Sequence, residues 1–476
     1  MLRDMDSDDA HALLGRPRWI ALHSRNRAAR GLVSSGVKVH LTAMNARTLI
    51  ASLILTSAIG LPLHAQATQA PATPPVGAAP SPEPGSNLTV YLLTFGWGDV
   101  SWERFGHNAI WIKDPTHRTD ITYNWGMFDF NQPNFVWRFV TGDTRYWMEA
   151  FDLDVMVAAY KRENRSILAQ ELNLTPAQRL RLQQFVQWNA LPQNKFYRYD
   201  YYRDNCSTRL RDAIDHALGG QLQTATVTRM TSGTYRSHTQ RLMTGDIPLY
   251  TGVTFALGHP ADKPISVWQE MFLPVRMAND FRTVRISDST GTQIPLVKSE
   301  MAIFTSGRAP EPAEPPFYFP LFVAIGIVYA AALVVLVRTA EGGSRIAMFV
   351  ATALATLWSL VAGLAGLALV FAWAFTKHYF MGRNENLMHM DPLSIALVVL
   401  IPLSIFGLRG VSRATKFAGF IALASLFGFV AQGIPAFNQK NGEIIALALP
   451  INLAVWWAVY RLTVYRRTSL PSSAAL

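Results

Sequence analysis

Apolar residues are unevenly spread along this chain. The last third carries five nearly unbroken apolar runs, at about Phe317–Val337, Ala347–Phe371, Leu393–Leu408, Phe417–Phe437 and Ile444–Tyr460. A helix needs roughly 20 apolar residues to cross a bilayer core. The runs therefore predict five membrane spans, with the third and fifth short and the second long enough to tilt. For the third alone, a buried soluble helix is the alternative. A briefer apolar run, Leu49–Gly60, follows the basic start Met44-Asn-Ala-Arg47 and precedes Ala65-Gln66-Ala67. That is the layout of a Sec-type signal peptide over 44–67, cut after Ala67. Residues 1–43 show no apolar periodicity and read as an over-called or extended N-terminus, with Met44 as the expected start.

Between these ends the period changes. Leu88–Thr94, Ala109–Lys113 and Asp120–Trp125 are β-branched or aromatic and read as strands, with a turn at Asp114-Pro115. Leu153–Glu163 fits a strand or a helix. Thr175–Ala190 predicts a helix, capped by Thr175, with Pro176 in its first turn. Asn205–Leu218 predicts another, stopped by Gly219-Gly220. Phe281–Ile286 and Gln293–Val297 are strand-like. The class is α+β. An Ala/Pro-rich stretch, 68–87, and a stiff Pro-rich one, 307–316, bracket a single extracytoplasmic domain at 88–306. The membrane domain then covers 317–461 and a tail covers 462–476.

Loop charges orient the spans. Arg338 and Arg345 follow the first, Arg409, Arg413 and Lys416 the third, and Arg461, Arg466 and Arg467 the fifth. The opposite loops carry only Lys377, Arg383 and Lys440. By the positive-inside rule the C-terminus is cytoplasmic and everything before Phe317 is outside. A bacterial inner membrane with a periplasmic domain is the expected setting. Charged residues make up 16% of the chain, against about 25% in an average soluble protein, as membrane spans require. The net charge of +11 is largely such anchors, and no basic-aromatic patch points to nucleic acid.

There is one cysteine, Cys206, so no intrachain disulfide framework exists. It falls in the first turn of the helix predicted at Asn205–Leu218. Free backbone N–H groups there, with Arg203, Arg209 and Arg211 nearby in sequence, favour the thiolate and predict a lowered thiol pKa. His107, opening an apolar strand, is the candidate base. Glu103, Asn108 and Asn124 are candidates to orient its ring. A buried, inert cysteine is the alternative. No zinc-type ligand cluster, nucleotide loop or dinucleotide fingerprint occurs, and no cofactor is expected.

A papain-like site sets a Cys at a helix start against a His on a sheet. Here the His comes first, the order of circularly permuted NlpC/P60 members. Several strings together then resemble the Lnb-type lipoprotein intramolecular transacylase family. They are Glu103-Arg-Phe-Gly-His107-Asn, Tyr123-Asn-Trp-Gly126-Met-Phe-Asp-Phe130, Phe139-Val-Thr-Gly142 and Tyr197-Arg-Tyr-Asp-Tyr-Tyr202 running into Asp204-Asn-Cys206-Ser-Thr-Arg209. The resemblance continues in the outward loop Phe375-Thr-Lys-His378-Tyr-Phe-Met-Gly-Arg383-Asn384-Glu-Asn386, followed by Asp391-Pro392.

The resemblance implies a permuted papain-like domain ahead of five membrane helices. It also implies a cysteine-dependent acyl transfer, with Cys206 attacking an ester of a membrane lipid or lipoprotein, His107 as base, and Glu103 or Asn124 assisting. The acyl group would pass to an amine. His378, Arg383, Asn384 and Asn386, with Arg209, would hold the substrate; a loop that merely caps two helix ends is the alternative for the first four. A cell-wall peptide amidase of NlpC/P60 type and a non-catalytic membrane scaffold are the competing readings.

Overall fold

A seven-stranded antiparallel sheet organises the extracytoplasmic part. The structure is a computed structural model and describes residues 83–407 and 411–469. The expected signal peptide and most of the Ala/Pro-rich stretch lie outside the described residues.

The central strands are β1 (Thr89–Phe95), β2 (His107–Asp114) and β3 (Thr119–Met127). They continue to β4 (Arg145–Asp152) and β6 (Phe196–Arg198) on one side. On the other lie β5 (Ile167–Leu172) and β11 (Val297–Phe304). Two short ribbons, β7 (Met230–Thr234) with β8 (Pro264–Ser266) and β9 (Arg285–Ser287) with β10 (Gln293–Pro295), stand apart. The domain's helices are α1 (Phe135–Val140), α2 (Leu153–Arg162), α3 (Pro176–Asn189), α4 (Cys206–Leu218) and α5 (Gln221–Thr226). They continue as α6 (Tyr235–Leu242), α7 (Ile247–Ala256), α8 (Val267–Glu270) and α9 (Pro274–Phe281). The ambiguous Leu153–Glu163 stretch is thus helical.

Alternation on β1 and β2 puts Val90, Leu92, Ile110 and Ile112 on one face. Leu182 and Val186 of α3, with Leu210 and Ile214 of α4, close over that face and complete one core. The α3 cap forms as expected: Thr175 and Gln178 make a reciprocal capping box. Thr175→Ala is expected to cost about 1 kcal/mol in denaturant unfolding. The α4 end also forms as expected, with Gly219 at φ 69° accepting the left-handed turn.

Among the described residues, the membrane part holds four helices long and apolar enough to cross a bilayer. They are α10 (Phe319–Glu341), α11 (Arg345–Phe375), α13 (Val411–Ala431) and α14 (Gly442–Ser469). The expected third span arrives as α12 (Ser394–Phe406), only 13 residues. At 1.5 Å per residue it covers about 20 Å, short of a ~30 Å hydrocarbon core. The chain before it, short 3-10 turns and irregular backbone, packs beside a long helix: His389 Nδ1 pairs with Ser425 Oγ at 2.9 Å. Ser425 sits six residues inside α13, about 9 Å from that helix's end. Irregular backbone at such depth is tolerated because it is buried in protein, and His389 and Asn386 are fully buried.

The loop between α11 and α12 docks onto the soluble domain. Gly258 N–H donates to the Phe380 carbonyl at 2.7 Å, and Lys377 N–H to the Thr141 carbonyl at 2.9 Å. A Cβ on Gly258 would fall 2.1 Å from the Gly382 carbonyl oxygen, so only glycine permits this approach.

Candidate active site

A tight turn and a helix cap deliver the reactive cysteine. Asp200 Oδ1 accepts the N–H groups of Tyr202 and Arg203, both at 3.0 Å. This tight turn leads to Asn205, the N-cap of α4, whose side chain and Thr208 form a capping box. Asn205 Nδ2 also donates to the carbonyls of Tyr201 and Phe272, at 3.1 and 3.0 Å. Cys206 is thereby fixed as the first residue of α4, which packs on β2 and β3. The β3 backbone comes very near: a Cβ on Gly126 (φ +92°) would lie 3.2 Å from Cys206 Cβ. Gly126→Ala combines strain with crowding. It is expected to reduce iodoacetamide labelling of Cys206 in the folded chain.

Cys206 is half-buried. Ser207 Oγ lies 3.8 Å from the sulfur, and the backbone N–H groups of Asn108, Ser207 and Cys206 itself favour its thiolate form. Ser207 Oγ in turn donates to Asn108 Oδ1 at 2.8 Å, binding the helix start to β2 directly beside His107. Burial pushes the thiol pKa up, and the nearby donors only partly offset this.

The expectation of a lowered thiol pKa is therefore overturned. The three arginines invoked for it are engaged elsewhere. Arg209 pairs with Asp204, Nη2 to Oδ2 at 2.9 Å, and covers the Tyr197 ring. Arg203 lies over Tyr379 at 3.7 Å. Arg211 pairs with Asp212 and covers Trp268.

His107 lies beside the stacked rings of Phe95 and Tyr160, its centroid 5.8 and 6.2 Å from theirs, which are 3.9 Å apart. Its Nε2 is 3.2 Å from Asn124 Oδ1. The hydrogen-bond network fixes which nitrogen carries the proton. Thr122 Oγ1 donates to the Phe151 carbonyl at 2.9 Å, so it accepts from Asn124 Nδ2 at 3.3 Å. Asn124 Nδ2 also donates to the Thr122 carbonyl at 3.2 Å. Asn124 Oδ1 must then face His107 and requires an N–H on Nε2, which leaves Nδ1 as the basic nitrogen. Burial pushes the His107 pKa down to about 4, against the pull of the Asn124 bond. At neutral pH the ring is uncharged and able to accept a proton.

Of the candidate orienting residues, Asn124 touches the imidazole. Asn108 ties β2 to β1, donating to the Leu93 carbonyl and Thr94 Oγ1 at 3.1 and 2.9 Å. Glu103 turns away: its carboxylate is 3.7 Å from Arg165, which is itself 3.3 Å from Glu163. Removing the Asn124 contact by Asn124→Ala should slow any His107-dependent step about 10-fold, the worth of one such hydrogen bond.

The other proposed substrate contacts lie apart from this cluster. His378 Nε2 pairs with the Phe139 carbonyl at 3.1 Å. Asn384 Nδ2 donates to the carbonyls of Phe255 and Ala256, at 2.9 and 3.0 Å. Asn386 Nδ2 also reaches Phe255, and its Oδ1 accepts from Asn441 at 2.8 Å. Between them Glu385 meets His259 at 3.2 Å and Gln432 at 3.0 Å. Arg383 is exposed. The two asparagines thus join the domains, each with structural partners.

Sequence reasoning missed the roles of Ser207 and Gly126. The only signal for either was its place beside Cys206 or on the Tyr-Asn-Trp-Gly strand.

With the geometry in place, the comparisons with known proteins agree in sequence. The family model of the Lnb N-terminal periplasmic domain matches residues 84–241. That of the Lnb transmembrane domain matches residues 313–459. The chain belongs to the Lnb family. Neither a curated protein nor a solved structure matches it. Lnb membership makes it a membrane-integral protein with a periplasmic N-terminal domain, and points to a lipoprotein-processing enzyme. Cys206, His107 and Asn124 all fall in the periplasmic match, and the docking loop falls in the transmembrane match.

Proposed function

We propose that this Lnb-family chain is a cysteine-dependent acyltransferase of the bacterial inner membrane, with its C-terminus cytoplasmic. Its reacting domain is a circularly permuted papain-like unit. The observation that carries the reading is the His107–Asn124 pair, whose network leaves Nδ1 basic on the strand that Asn108, the next residue, ties to Ser207 beside Cys206.

Because the thiol is neutral at rest, attack and deprotonation go together. Cys206 Sγ adds to the ester carbonyl of a lipid or lipoprotein while its proton passes to His107 Nδ1. The backbone N–H of Cys206, at the positive end of α4, faces the developing oxyanion. The carbon–oxygen bond breaks, the alcohol leaves with the proton from His107, and an acyl thioester remains. An amine then attacks the thioester, forming the amide. Its proton returns through His107 and the thiol is restored.

Intact-mass measurement tests this. Wild-type protein incubated with a diacylated lipoprotein in detergent should gain one acyl mass on Cys206, and Cys206→Ala should gain none. Equal labelling of both would sink the proposal, as would release of peptide fragments from cell-wall material with no adduct.

A further inference from the structure

The six-residue helix α1 contradicts the usual rule for a water-soluble surface. Val136, Trp137, Phe139 and Val140 are 70%, 61%, 58% and 42% exposed. Four large apolar side chains on so short a helix form a patch that water does not favour.

Its position shows what covers it. Trp137 lies against Phe371 of α11, ring centroids 6.4 Å apart. The turn after α1 is bonded to the end of that span, through Lys377 N–H to the Thr141 carbonyl at 2.9 Å and Lys377 Nζ to Asp143 at 2.9 Å. The exposed face of α1 therefore continues the span's own lipid-facing surface, where Phe375 is 71% and Trp373 51% exposed. Tryptophan beside charged residues is typical of the membrane boundary.

The patch is also the outer end of an aromatic track. Phe139 follows Phe135 at 6.4 Å, Phe135 follows Phe130 at 5.0 Å, and Phe130 follows Phe128 at 5.1 Å. Phe128 meets Tyr146 at 5.1 Å, Tyr146 stacks on Tyr199 at 4.1 Å, and Tyr199 and Cys206 both pack against the domain core.

We infer that α1 is inserted in the outer leaflet of the membrane that holds the spans, and that the track behind it receives the acyl chain sideways from the bilayer. The inference rests on the reading that Cys206 takes its acyl group from a membrane ester. Such a row of rings offers an acyl chain apolar contact along its way to Cys206. A donor drawn sideways never has to leave the bilayer for water.

The test places a bimane label at Val136→Cys in full-length Cys206→Ala protein, in vesicles of phosphatidylcholine and phosphatidylglycerol. A second label at Lys113→Cys, exposed at the far end of β2, reports water. Acyl-brominated lipids should quench the label at 136 several-fold more than that at 113, and aqueous iodide several-fold less. Equal iodide quenching at both sites would overturn the inference. Both labelled chains lack the thiol, so depth is read without turnover. A wild-type chain that gains no acyl mass sinks the functional reading and leaves this measurement to decide the position of α1.

Discussion

His107→Ala is expected to slow acylation of Cys206 about 10²–10⁴-fold, the usual worth of a positioned general base. The size of the effect follows from the state of the sulfur. Were Cys206 a resting thiolate, losing the imidazole would cost little in the first step. Burial instead holds the thiol pKa above its ordinary value, so the proton must move as the bond forms. The same geometry sets the pH profile. The base works only when neutral, and His107 titrates at about 4. The acylation rate should therefore fall tenfold per unit below that pH and stay level from about pH 5 to 8, with no limb near the ordinary histidine value of about 6.5. Rapid-quench mass measurement across that range checks it. An acid limb between pH 6 and 7 would show that the working ring is exposed, and a His107→Ala rate within threefold of wild type would remove it as the base (about 0.7 kcal/mol of barrier at most).

Part of the site was legible in the sequence because it is local. An Asn N-cap before Cys206 and glycines after Leu218 fix where α4 starts and stops, and the apolar run after His107 fixes β2. Adjacency of the two was carried by family resemblance, since no spacing in the chain states that β2 packs on α4. The electrostatics were misread for a related reason. Arg203, Arg209 and Arg211 are close in sequence, but Arg203 lies in the turn before α4, and the helix sends Arg209 and Arg211, two residues apart, to different sides. Each met its own aromatic ring or carboxylate.

The strands missed from the sequence share one cause. β4 carries large side chains on both faces, with Tyr146, Trp147, Met148 and Phe151 obscuring alternation. β5 buries Gln170, which donates to Glu300 at 2.6 Å and to the Ala278 carbonyl. β11 is an edge strand with an almost wholly exposed centre. Strand pattern is read from half-buried surfaces, and none of these offers one. The short α12 hid differently: apolar composition alone does not say where a run stops being helical, and the chain ahead of it is polar yet buried.

Arg236→Ala is expected to destabilise the soluble domain by about 3–5 kcal/mol, the loss seen when one partner of a buried ion pair is removed. The Arg236 and Asp262 side chains are 1% and 5% exposed. The guanidinium is bidentate to Asp262, at 2.7 and 3.0 Å, and donates to the carbonyls of Thr254 and Leu257, both at 2.7 Å. Its removal strands a carboxylate and takes away the donors that Arg236 gives to the Thr254 and Leu257 carbonyls at the end of α7. That end carries Gly258 and His259, which hold the membrane loop at Phe380, Arg383 and Glu385. Loss of stability should therefore be accompanied by loosening of the docked loop, seen as faster amide exchange at Phe380–Asn386. Arg236→Met with Asp262→Leu removes the stranded charge and should recover part of the loss. A single-variant loss below about 1 kcal/mol, the scale of a surface pair, would mean that the arginine braces nothing. Recovery of stability without recovery of loop protection would show that the charged pair sets the docking geometry itself.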